Sequence, residues 1–125
     1  MEIEIGFIAG VLRRDRKNLD ALRALADNYS ECGQFVETLE MDERLVSLCP
    51  KDPRAHYNLA CGYALNRDWS QAAASLCRAI QLGYRDVAWL MKDADLERFR
   101  RQTAFKKILA QLCSARMQGE LSSEK

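Results

Sequence analysis

The chain is short of most things that chemistry needs. Its 125 residues include one histidine and two prolines. No apolar run approaches the roughly 20 residues that span a bilayer, which argues against a membrane helix. No strand-like alternation and no glycine-rich phosphate loop occur. The five cysteines, at 32, 49, 61, 77 and 113, are odd in number and lack CxxC or CxxH spacing. That argues against a disulfide framework and a zinc site, and fits a reducing compartment. The opening MEIEIGFIAGVLRR is acidic before its apolar part and basic after it, the reverse of a secretory signal. The expected location is cytoplasmic. Net charge is only +1, so no global electrostatic partner is implied. The halves differ: residues 1–50 balance to −4 and residues 51–125 to +5. Such polarity could steer a partner or favour head-to-tail association of copies.

What the chain does have is a period. Residues 18–50 set over 52–84 match at Ala21/Ala55, Leu25/Leu59, Ala26/Ala60, Tyr29/Tyr63, Arg44/Arg78 and Leu48/Leu82, always 34 apart. A fixed period of this size marks stacked repeats. Asn18, Asp52 and Asp86 keep the same spacing, and each is a good helix N-cap. Pro53 follows Asp52 at the first helical position, where proline is tolerated. Gly33–Gln34 and Asn66–Arg67–Asp68 are turn signals that split each unit. Between them the apolar steps are three and four: Leu19, Leu22, Leu25, Ala26 and Tyr29, then Ala55, Leu59, Ala60 and Tyr63. Val36, Leu39 and Val46, and Ala72, Leu76, Ala79 and Ile80, mark the second helices. Each unit reads as a helix, a tight turn and an antiparallel helix. Tyr29, Phe35, Tyr63 and Trp69 are expected to fill the gaps between helices.

The predicted fold is all-α, about seven helices in one domain over 1–125. A capping helix covers 2–14, the repeats cover 18–50 and 52–84, and 86–117 is a degenerate repeat with a C-terminal capping helix. Within 86–117, a pair of short helical turns precedes a helix from about Gln102 to Met117. Residues 118–125 are a flexible polar tail.

These residues resemble the tetratricopeptide repeat family. The first unit supplies Leu22, Leu25, Ala26, Tyr29, Gly33, Phe35 and Pro50. The second supplies His56, Leu59, Ala60, Tyr63, Trp69, Ala72, Ala79 and Leu82. Thr38 and Asp42 depart from the small and large apolar residues usual there. Arg67 replaces the turn glycine, and Tyr84 the closing proline. The resemblance implies a right-handed superhelix of antiparallel helix pairs that binds a protein or peptide partner on its concave face, lined by the first helix of each unit. It implies an adaptor or scaffold role without catalysis.

On that resemblance the concave, partner-binding residues are Arg23, Asp27, Arg54, Tyr57, Asn58 and Cys61, with Asp20 beside them and Met91 and Lys92 extending the face. Arginine forks onto carboxylates, and tyrosine brings area with a polar tip. One subgroup of the family clamps the C-terminal carboxylate of heat-shock chaperones. Asp27 stands where that subgroup has asparagine and would repel such a ligand. His56 falls at a packing position and lacks a catalytic partner. Asp93/Asp95 and Asp42/Glu43 read as caps and helix surface. No cofactor or metal is expected. The set Arg98, Arg100, Arg101, Lys106 and Lys107, interleaved with Phe99 and Phe105, is the one hint of nucleic acid, and the neutral overall balance weighs against it. The alternative to a binding module is a structural subunit that self-associates into a homo-oligomer through the end faces of the stack.

Overall fold

The computed structural model of the chain describes residues 18–123, with side-chain surroundings described to residue 114. The helix expected at 2–14 lies outside the described residues. Within them the fold is all-helical, with six α-helices, no strand, and packing between neighbouring helices. Helices α1 (Leu19–Glu31) and α2 (Phe35–Leu48) form the first pair, and α3 (Pro53–Leu65) and α4 (Trp69–Gln81) the second. A single turn, α5 (Val87–Leu90), and two 3₁₀ turns, Ala94–Leu96 and Phe99–Arg101, lead into α6 (Thr103–Ser123). That helix runs six residues beyond the expected end at Met117.

The caps explain the starts. The carboxamide of Asn18 accepts from Ala21 N at 3.0 Å. The carboxylate of Asp52 accepts from Arg54 N at 2.9 Å, ahead of Pro53. The carboxylates of Asp68 and Asp86 accept from Gln71 N and Trp89 N at 3.3 and 3.0 Å. Each satisfies a donor that the helix cannot use, typically stabilising by about 1 kcal/mol. Between the helices of each pair the backbone swings to positive φ at equivalent positions, +76° at Gly33 and +60° at Arg67. Glycine adopts that conformation freely, whereas arginine costs roughly 1–2 kcal/mol there.

The chain departs from its period after Asp86. Helix α5 stops after four residues because Asp93 turns extended (φ −63°, ψ 120°) and its carboxylate caps a new turn at Asp95 N. Only the short turns follow until α6.

The interior is divided between two clusters. Ala21, Leu22, Leu25, Ala26, Met41 and Leu45 form one buried cluster between α1 and α2. The second, larger cluster joins α3 and α4 to the C-terminal elements through Leu76, Leu90, Leu96, Phe99, Phe105 and Leu112, among others. Phe99 stacks flat on Trp69 at 6.0 Å and meets Phe105 edge-on at 5.3 Å. Tyr29, Phe35, Tyr63 and Trp69, expected to fill the gaps, are half-buried. Leucines and the two C-terminal phenylalanines do most of the filling.

Candidate functional site

Helices α1 and α3 and the segment after α5 line one concave surface with two adjoining cavities. The first, of about 390 Å³, is bordered by Arg23 and Asp27 of α1, Thr38 and Asp42 of α2, Arg54, Tyr57, Asn58 and Cys61 of α3, and Trp89, Asp93 and Asp95. The second, of about 490 Å³, shares Arg54, Tyr57, Asn58 and Trp89 and is closed by Tyr84, Arg85 and Asp86.

All six residues expected on the concave face therefore border the first cavity, but at two depths. Arg23, Asp27, Arg54 and Asn58 are exposed along its rim. Tyr57 and Cys61 border it from the floor, 5% and 6% exposed. The Tyr57 hydroxyl, expected as a polar tip for a ligand, donates to Asp93 Oδ2 at 2.5 Å. Its ring stacks on Tyr84 at 4.5 Å, nearly parallel. The Cys61 thiol donates to the same oxygen at 3.7 Å. Burial, then the nearby Asp93 and Asp95 carboxylates, push that thiol well above its ordinary value, so it is no nucleophile. Burial raises the Tyr57 phenol too, and holds Tyr84 up to about 12.

The rim charges do not neutralise one another. Arg23 reaches Asp20 at 3.7 Å and Asp52 at 3.8 Å, which ties α1 to the start of α3. Arg54 forms no ion pair among the described residues and stands between the two cavities. Met91 and Trp89 are each nearly half exposed beside them, and Lys92 lies 5.8 Å over the Trp89 ring.

Two acids on the floor escaped the sequence reading. Asp93 does cap a turn, as expected, but it is 7% exposed and not on a helix surface. Its position, 34 residues after Leu59, is a buried register, and this was the available signal. Asp42, 4% exposed, is buried as well. Burial, then Asp27 and Asp95, raise its pKa from 3.8 to about 8. Burial and the neighbouring acids raise Asp27 and Asp95 in the same direction. The room for Asp42 comes from Gly62, where an added Cβ would stand 3.0 Å from Asp42 Oδ2.

Cys61, Asp93 and Asp95 bring ligand atoms within 4.8 Å of one another, a grouping hidden in the sequence by its spacing of 32 and 34 residues. Both Asp93 oxygens already accept hydrogen bonds, from Tyr57, Cys61 and Asp95 N. A metal there would have to displace the first two. His56 packs beside the end of the first unit, with Nε2 2.8 Å from Pro50 O. The C-terminal basic set is dispersed: Arg100 is spent on the carbonyls of Leu90 and Asp93, and Arg101 lies 3.8 Å from Glu97. Phe99 and Phe105, 0% and 1% exposed, offer no face for a base. Among the described residues no helix is long and apolar enough to cross a membrane.

No protein-family model matches the chain. Over 86 residues, 66% of its length, the chain is 30% identical to a chloroplastic protein of Arabidopsis thaliana. It spans 26% of that protein, so the likeness concerns about a quarter of the relative.

Proposed function

We propose that this chain is a tetratricopeptide-like, non-enzymatic interaction module that holds a peptide segment of a protein partner along the surface formed by α1, α3 and the turns after α5. The observation that carries the reading is Arg54, which forms no ion pair among the described residues and stands exposed where two adjoining cavities meet. A guanidinium without an internal carboxylate is free to fork onto one from a ligand. Trp89 and Asn58 beside it add the apolar area and the adaptable polar contact that interfaces use. Two adjoining cavities that share a wall suit an extended peptide better than a small molecule. The exposed Asp27 at the rim disfavours a ligand that presents only carboxylates. A cytoplasmic location belongs to this proposal and rests on the cysteines: Cys49, Cys61, Cys77 and Cys113 are in no disulfide. The chloroplast relative offers a competing compartment.

The test is partner capture with wild type and an Arg23→Glu, Arg54→Glu, Trp89→Ala variant. Tyr57 is left alone because its loss would break the floor. All three changes are at exposed positions, so circular dichroism should show an unchanged fold. A partner held by wild type and lost by the variant supports the groove. Equal capture by both overturns it.

A further inference from the structure

The floor of the first cavity is acidic, and one of its acids has no partner among the described residues. Asp93 is fully used by Tyr57, Cys61 and Asp95 N. Asp42 is not. Its side chain borders the cavity at 4% exposure, accepts no hydrogen bond and meets no cation among the described residues. A carboxyl buried for structural reasons normally has donors around it, since burial without them is costly. Here no donor is supplied among the described residues, and the carboxyl oxygens keep access to the cavity instead. Glycine at 62 leaves room for the carboxyl, and the groups that face it are mainly further acids: Asp27 from α1 and Asp95 from the turn after α5, with Asp93 on the same cavity lining. Cys61 from α3 adds a protonated thiol; the cations on the lining are Arg23 and Arg54 at the rim, and Arg100 reaches the Asp93 carbonyl at 2.6 Å.

What this constellation lacks is a positive charge from outside. A cavity of about 390 Å³ has room for a long side chain rather than a bare ion. The rim arginines would repel a run of basic residues but hold acidic ones. We infer that the first cavity is a receptor for one cationic side chain, lysine or arginine, flanked by acidic residues in the peptide, with Asp42, Asp27 and Asp95 gripping the cation. This rests on the groove reading above and names the chemistry of its ligand. Because an incoming cation favours ionised Asp42, binding releases a proton below about pH 8 and strengthens as pH rises towards that value. Lysine and arginine stay charged over this range.

The test is an NMR titration of backbone amides with the capped single residues N-acetyl-lysine N-methylamide and its arginine, norleucine and glutamate counterparts. The lysine or arginine probe should shift the amides of Cys61, Gly62 and Asp95, while norleucine and glutamate should not. Affinity should rise about tenfold between about pH 6.5 and about pH 8.5. Asp42→Asn, which keeps the shape and removes the charge, should weaken binding about tenfold and abolish the pH dependence. The inference fails if neither cationic probe shifts these amides, or if Asp42→Asn responds as wild type does. It also fails if zinc or calcium alone occupies the site while both cationic probes leave it unmoved. Failure here is separable from failure of the groove: a captured partner that needs Arg54 but binds Asp42→Asn normally keeps the groove and removes the cation receptor.

Discussion

Asp42 should make the protein less stable as the solution becomes more alkaline. Its pKa is near 3.8 in the unfolded chain and about 8 in the folded one. The folded state therefore holds the proton more tightly between these values. The resulting stability is complete below about pH 4 and is lost as pH rises through about 8. Each pKa unit corresponds to about 1.36 kcal/mol, so the full loss has a ceiling of about 6 kcal/mol. That is a large share of the roughly 5–15 kcal/mol by which a domain is stable. Asp42→Asn retains the neutral form at every pH. Its advantage over wild type should grow by roughly 3–4 kcal/mol from about pH 5 to about pH 8. Asp27 and Asp95 shift in the same direction but are present in both proteins, so the difference isolates Asp42. Urea unfolding followed by far-ultraviolet circular dichroism, at several pH values for both proteins, measures this directly. A wild type whose stability is flat or rises over that interval would refute the reasoning. So would a constant gap between the two proteins.

Three further outcomes follow from the fold. Arg67→Gly should stabilise by about 1 kcal/mol by relieving the positive φ, read as a higher urea midpoint; no gain would mean that arginine sits there without strain. Tyr57→Phe should cost about 1–3 kcal/mol, because Asp93 loses its phenolic donor while staying buried, and thermal unfolding measures the loss. The end-face alternative predicts association that depends on concentration and salt, so sedimentation should show a monomer throughout if the concave face is the only binding surface.

The repeat was legible because its punctuation is local. An N-cap, a proline at the first helical position and a tight turn are decided by neighbouring residues. Asn18, Asp52 and Asp86 accordingly cap where their spacing says they should. Gly33 and Arg67 even share the same backbone conformation, although arginine gives no hint of it. The groove rim was legible too, since residues a turn apart on a first helix must share a face. Depth was not. Whether Tyr57 is a ligand anchor or floor depends on Asp93, 36 residues later, where the repeat has already decayed. Asp42 read as a departure from an apolar pattern. Its meaning came only with the approach of α1, α3 and the Asp95 turn, which no periodicity records.

The division of the interior into two apolar clusters bears on how the groove behaves in time. The clusters lie on either side of the α2–α3 contact, where Leu39 and Asp42 lie against Gly62, and a seam with an acid in it is expected to open at lower free energy than a continuous core. Arg23 and Asp52 also link the first helix pair to the second. Asp27 and Asp42 belong to the first pair, and Cys61, Asp93 and Asp95 to the second pair and the turns after it. An occupant of the cavity that touches residues of both pairs would bridge the two clusters, so hydrogen exchange in α1 and α2 should slow when the groove fills.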